Sequence, residues 1–371
     1  MKKRTIFLFL ILVCLLFVGA VSAAGGDASD PLISLSYLKN TFSPKVDSSV
    51  DAALAQSDEK LLGDAEAEWN RILAAAEANA GKEHTAVFQE GMLKQGDILS
   101  GPTGLQVLVL AGSVKADFSS GAVVDATAGK EIPSGTYLAA NHRYLVAENT
   151  AALFSVVSKT AVLDYCGTYS LTRSAKPDYS AMAEALKTLS LLRGTGTGFG
   201  QGFDLERVPT RIEALVMLIR LLGEEKAALA CTAPQPFADV DPWAVPYVAY
   251  AYEKGYSNGV GGGLFGSAMT ASPQMYTEFV LRALGYSSTA QTDISDALVR
   301  AQRSGVLTSG EVSMLGSTGF LRADIVYLSF YALGCQVSGS SVRLCDRLAI
   351  SGVFSAADYR YACRLVTSPR L

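Results

Sequence analysis

Three stretches of this chain align without a gap, and that alignment limits the folds open to it. Thr210-Arg211-Ile212-Glu213 leads to Arg220-Leu221-Leu222-Gly223. Ser272-Pro273-Gln274-Met275 leads to Arg282-Ala283-Leu284-Gly285. Leu321-Arg322-Ala323-Asp324 leads to Tyr331-Ala332-Leu333-Gly334. Each reads as a helix. Thr210 and Ser272 are good N-caps, because a hydroxyl can accept a bond from an orphan amide of the first turn. Glu213 can reach back to complete a capping box. Pro273 takes the first helical position, where its missing N–H costs nothing. Leu215, Leu218, Ile219 and Leu222 form the buried stripe, and a glycine closes each helix. Another helix precedes each of the three, expected near 179–193, 243–254 and 294–304, and followed by Gly194, Gly255 or Gly305. A helix–loop–helix unit recurring about every 50–60 residues is an internal repeat.

Capping explains all of this except Arg211. A cation in the first turn opposes the helix dipole. It is rationalised if it meets an anion held at the same terminus, where free amides and the guanidinium act together. Arg322 occupies the same place in the third stretch, whereas the second has Pro273 there. Arg211 is expected to lie exposed. The candidate ligand-binding set is Arg211, Arg322, Thr210, Glu213, Asp324 and Trp243. Trp243, at a helix start, can either pack or stack on a sugar. Gly194-Thr195-Gly196-Thr197-Gly198-Phe199-Gly200 looks like a phosphate loop, but it follows a helix, misses the G-x-G-x-x-G spacing and lacks a Lys-Ser/Thr end. Gly261-Gly262-Gly263 is its counterpart in the second repeat, which favours a structural role for both. Tyr247, Tyr250, Tyr252 and Tyr256 fall mostly on helical faces and read as core.

The rest of the chain is different in kind. Residues 24–84 comprise an extended lead-in and a helix from about Ser49 to Asn79. Its stripe of Leu62, Ala65, Trp69, Ile72 and Ala76 is expected to pack on the same protein, with oligomerisation the alternative. Residues 85–172 alternate glycines with short β-rich runs at 105–110, 122–125, 144–146, 154–157 and 161–163, the pattern of a small antiparallel β domain. Leu105 to Leu110 looks buried on both faces. His142 could serve as a general base, but no nucleophile or carboxylate pair is tied to it by spacing, so a turn between strands is the better reading. Asp97, Asp117, Asp125, Glu131 and Glu148 are not paired as a glycosidase would need. No enzymatic activity is expected. The fold class is thus α+β and multidomain: an N-terminal helix, a small antiparallel β domain (85–172), an all-α array of three repeats (175–235, 236–288, 289–340) and a C-terminal extension (341–371).

Compartment comes from the N-terminus. Lys2, Lys3 and Arg4, an apolar core from Ile6 to Val18, and Val21-Ser22-Ala23 read as a secretory signal over 1–23, cut after Ala23. The apolar run falls short of the ~20 residues a span prefers, and no later stretch is long enough. Cys14 lies within the apolar core, so it is not a lipid-attachment cysteine. The chain carries a net charge of -4, and losing the signal brings it to about -7. That excludes ordinary nucleic-acid binding, which needs a dense basic surface. Two histidines, His84 and His142, exclude a zinc site rich in His ligands, and no cofactor is indicated. With 49% apolar and 18% charged residues the chain is not disordered. Cys335 and Cys345 flank a Gly/Ser-rich turn and could form a short-range disulfide, or remain buried thiols.

The helical region resembles three tandem S-layer homology (SLH) domains. The first shows the pattern in Leu191-Leu192-Arg193-Gly194, Phe203 and the Thr-Arg-x-Glu box. The second shows it in Phe237-Ala238-Asp239-Val240, Trp243, Gly255, Gly259, Phe265 and Leu281-Arg282-Ala283-Leu284-Gly285-Tyr286. The third, more diverged, is recognisable from Gly305-Val306-Leu307 and Leu321-Arg322-Ala323-Asp324. The match covers about 175–340. Asp30-Pro31-Leu32-Ile33-Ser34-Leu35-Ser36-Tyr37 also resembles the start of secreted clostridial-type proteins with such repeats. The resemblance implies a three-pronged helical assembly at the cell surface. Grooves between its repeats would bind secondary cell-wall polysaccharide, often bearing pyruvate ketals. Those ketals are carboxylates, which suits Arg211 and Arg322, while the Pro273 groove departs from the pattern.

Overall fold

A computed structural model describes residues 35–78, 82–196, 198–288, 290, 293–317 and 319–371. The expected signal over 1–23 and most of the lead-in lie outside these. The chain divides into two compact units, up to Ala80 and from Gly81 onward. Among the described residues, no helix is long and apolar enough to cross a membrane.

The first unit is one long helix, α1 (Ser43–Ala78), entered through a helical turn at Leu35–Tyr37 and a π-helical stretch at Leu38–Phe42. Residues 36–72 are all exposed, Leu62 and Trp69 each at 65%. Among the described side chains of the stripe, Leu62, Ala65, Trp69 and Ile72 are therefore uncovered within this unit.

The second unit begins with a ten-stranded antiparallel sheet. Its strands are β1 (Glu83–Lys94), β2 (Ile98–Pro102), β3 (Gln106–Ala111), β4 (Val114–Asp117) and β5 (Ala122–Asp125), then β6 (Lys130–Ile132), β7 (Thr136–Tyr137), β8 (Arg143–Ala147), β9 (Ala151–Val156) and β10 (Thr160–Thr172). β10 joins two ladders. Val162–Cys166 pairs with β3, and Ser170–Thr172 pairs with β2. Between them Gly167 has φ +119°, and a Cβ there would stand 2.8 Å from the Gly104 carbonyl oxygen, so only glycine fits the crossover. Leu99, Val107, Val109, Val146, Phe154 and Leu163 fill the core. The 105–110 run is not buried on both faces. Val107 and Val109 point inward, while Gln106, Leu108 and Leu110 are half-buried, as in a strand with one covered face.

Helices follow: α2 (Tyr179–Thr188), α3 (Arg211–Leu221), α4 (Glu225–Leu229), α5 (Val245–Glu253), α6 (Pro273–Ala283), α7 (Ala297–Arg303), α8 (Ser309–Ser317), α9 (Arg322–Ala332), α10 (Leu344–Ile350) and α11 (Ala356–Leu365). α3 and α6 begin where their caps place them, while α9 starts after Leu321, which has no capping side chain. Thr210 Oγ1 accepts from the Glu213 amide while Glu213 accepts from the Thr210 amide at 2.8 Å. Ser272 Oγ accepts from the Met275 amide at 3.2 Å. Gly223, Gly255, Gly285 and Gly305 take left-handed φ values after their helices. Gly194 does not cap α2, which stops at Thr188 and turns at Ser190 with φ 61°.

α3, α6 and α9 touch one another pairwise and share a single core. The starts of α3 and α9 are tied in the same way. The Arg211 and Ile212 amides donate to the Met269 and Ser267 carbonyls at 2.7 and 3.3 Å, and the Arg322 and Ala323 amides donate to the Arg207 and Leu205 carbonyls at 2.9 and 3.0 Å. These loop positions correspond in the alignment. The sheet docks on the helices through polar contacts: Lys159 with Asp324, Lys94 with Asp178, and Glu90 accepting from the Gly200 amide at 3.0 Å.

Candidate functional site

The tied ends leave two grooves. One lies between the start of α3 and the flank of α6, where Arg211 meets Asn258, Phe279 and Arg282 around a cavity of about 210 Å3. The other lies between the start of α9 and the flank of α3, where Arg322 meets Arg193, Thr195, Glu213, Arg220 and Trp243 around about 360 Å3. The two walls correspond. Met275, Glu278, Phe279 and Arg282 on α6 hold the places of Glu213, Val216, Met217 and Arg220 on α3.

Neither first-position arginine is freely exposed, contrary to expectation. Arg211 is 5% exposed and Arg322 4%. Neither has a carboxylate within ion-pair distance among the described residues. The Arg211 guanidinium lies 5.0 Å from the ring centres of both Phe265 and Phe279. Its Nη2 donates to Ser257 Oγ at 3.0 Å, and its buried Nε has no partner. Burial, with the charge of Arg282 next, lowers its pKa to about 10. Arg322 donates from Nε to the Phe203 carbonyl at 3.1 Å, and burial, followed by the charge of Arg207, lowers its pKa too. The helix amides are not free to join in. The first two of α3 and of α9 are already bonded to loop carbonyls, so any anion would be met by guanidinium groups and the helix dipole alone.

The second groove gathers three of the candidate residues: Arg322, Glu213 and Trp243. Trp243 is 55% exposed and rests edge-on against Tyr247 with ring centres 6.4 Å apart. Glu213 is committed to Arg207 at 2.7 Å and to the Thr210 amide. Burial raises its pKa, but those two bonds outweigh it and hold the carboxyl below its ordinary value. Thr210 is a cap and contributes no ligand contact of its own. Asp324, expected among the ligand residues, does not join them: it is 0% exposed, accepts from the Leu321 amide and pairs with Lys159, so it faces the sheet.

Arg193, Arg220, Glu278 and Arg282 are charged groove residues beyond the six expected ligand residues. Arg193 and Arg220 reach Glu225 at 3.0 and 2.9 Å. Burial raises the Glu225 pKa, and bonds from Arg220 and Tyr247 outweigh it. Arg282 pairs with Glu278 at 2.8 Å in the other groove. Their signal was present: Arg220 and Arg282 precede Leu-Leu-Gly and Ala-Leu-Gly at the same aligned position. The glycine-rich 194–200 segment lines the second groove through Gly194 and Thr195.

Elsewhere, His142 Nδ1 lies 2.7 Å from Asp125 Oδ2, and Asp125 also accepts from the Thr127 and Ala128 amides, which is a turn clasp. The five described cysteines are all free, so the Cys335–Cys345 disulfide is absent. No cluster among the described residues could hold a metal ion.

No protein-family model matches the chain. A cell surface protein of Thermoanaerobacter kivui is 30% identical over 138 residues, which cover 36% of this chain and 18% of that relative. The match thus spans less than a fifth of the relative's length. The likeness to SLH repeats accordingly stands on the motifs quoted above.

Proposed function

We propose that this is a secreted cell-surface protein whose helical array holds it noncovalently to the cell wall by binding an anionic wall polysaccharide in the two arginine grooves. One observation carries the reading. Arg211 and Arg322 are buried cations without a carboxylate partner, each at a helix start and each facing a groove. Buried charges are otherwise paired, because desolvation is costly. An acidic glycan supplies the missing anion. In the second groove the planar forks of Arg193 and Arg220 suit a carboxylate, such as the pyruvate ketal implied by the SLH resemblance, while the exposed ring of Trp243 suits the apolar face of a sugar. The name of the Thermoanaerobacter kivui relative supports the surface location.

The reading is non-catalytic. Asp97, Asp117 and Asp125 are each engaged by a cation or histidine of the chain itself, which supports it. A structural layer-forming protein without a glycan ligand is the second reading, favoured by the exposed Leu62, Trp69 and Ile72 on α1.

The test is calorimetric titration with soluble wall polysaccharide before and after reduction of its carboxylates. Arg322→Ala and Trp243→Ala should each weaken binding about 10-fold or more, the loss of one charge-assisted bond or one stacked ring. Carboxyl reduction should abolish binding. Unchanged affinity for the reduced polymer would contradict the assignment.

A further inference from the structure

A third place, where the middle of α6 meets the flank of α9 and the start of α8, differs from the other two. Pro273 stands where they have arginine. On its wall Tyr331 holds the aligned place of Arg220 and Arg282. The cavity left here is only about 10 Å3, room for about one water. Thr277 lines it, with its buried hydroxyl unpartnered.

A guanidinium reaches this place from another part of the chain. Arg370 donates from Nε and Nη2 to the two carboxylate oxygens of Glu311 at 2.6 and 2.9 Å. Its Nη2 also donates to the Val306 carbonyl at 2.9 Å. The guanidinium carbon lies 4.9 Å from the Tyr331 ring centre. Glu311 is 0% exposed and accepts in addition from the Thr308 amide. Neighbouring bonds fix the same segment: the Leu371 amide to the Tyr327 hydroxyl at 3.0 Å, the Thr308 hydroxyl to the Leu371 carbonyl at 2.6 Å, and the Asp178 amide to Ser368 Oγ at 2.9 Å.

We propose that this third place is a guanidinium-binding site occupied by the chain's own segment 367–371, and that it excludes the anionic ligand assigned to the other two. A fully buried carboxylate needs a cation, and the fork of Arg370 meets both its oxygens in the geometry that arginine alone offers. The Tyr331 face adds a cation–π contact. An acidic sugar placed here would face Glu311 without an arginine from the helix start. The array therefore has two grooves open to ligand and one closed by a latch that ties α2, α8 and α9 together. The guanidinium site does not depend on what the open grooves bind, whereas the exclusion rests on the anionic ligand proposed for them.

The full chain carrying Arg370→Ala is titrated calorimetrically with ethylguanidinium, with ethylammonium as control. Ethylguanidinium should bind this variant at least 10-fold more tightly than it binds wild type or the Arg370→Ala, Glu311→Gln double variant, and at least 10-fold more tightly than ethylammonium does. Equal affinity across the three proteins would overturn the proposal. Should Arg370→Ala not fold, hydrogen exchange in Arg370→Lys carries the test. The amides of Thr367, Ser368, residue 370 and Leu371 should exchange at least 10-fold faster than in wild type, and unchanged exchange would overturn the latch.

Discussion

The ammonium of Lys159 lies 2.7 Å from both carboxylate oxygens of Asp324, joining the turn before β10 to the first turn of α9. Asp324 is fully buried and Lys159 nearly so. Burial pushes the Asp324 pKa up, and the ammonium pulls against it. Removing the lysine strands a buried carboxylate. Lys159→Ala should therefore cost about 3–5 kcal/mol in denaturant unfolding. Lys159→Met combined with Asp324→Leu should recover most of that loss, because no charge is then left unpaired.

Arg211 should behave in the opposite way. Its folded pKa of about 10 lies below the ordinary 12.5, so the unfolded chain holds the proton more tightly. The penalty is complete below pH 10 and fades as pH rises toward 12.5. Arg211→Met at pH 7 should leave the melting temperature unchanged or raised, while glycan binding in the first groove falls. A large drop in melting temperature would mean that the arginine serves the fold.

Asp239 anchors the loop facing Arg211. Its carboxylate accepts from the Phe265, Gly266 and Ser267 amides at 2.6, 2.7 and 3.2 Å. Burial is the largest single influence and raises its pKa, but the backbone amides together outweigh it, holding the carboxyl below its ordinary 3.8. A depressed folded pKa gives stability that is full above pH 3.8 and lost as pH falls through the lower folded value. Acid unfolding followed by circular dichroism should show a shallower acid limb in Asp239→Asn than in wild type.

Gly167 is the crossover between the two ladders of the sheet. Gly167→Ala should destabilise by about 1–3 kcal/mol, from the left-handed backbone and the clash with Gly104. Thermal unfolding of the purified variant checks this.

How much of this was legible depended on how local each cause is. Thr210, Ser272 and the buried stripe of α3 act within one or two turns, so the starts of α3, α6 and α9 could be read directly. The short strands β4, β6 and β7 could not, because two to four residues gain strand geometry only from partners far along the chain. Arg211 and Arg322 were legible as anomalies of the helix dipole, but their burial depends on aromatic and loop neighbours in other repeats. Asp324 misled for the same reason. It aligns with Glu213, yet its partner Lys159 belongs to the sheet. Trp243 left two roles open, and both features are present: it is about half exposed beside Arg322 and its ring also rests against Tyr247.

The central claim is that buried arginines at two helix starts hold the protein to an anionic wall polymer. Sedimentation with purified walls tests it most directly. Wild type should pellet with intact walls and stay in solution once the polysaccharide has been chemically removed, and Arg211→Ala plus Arg322→Ala should stay in solution with both. Equal pelleting of wild type on intact and stripped walls, or of the double variant and wild type on intact walls, would contradict the account.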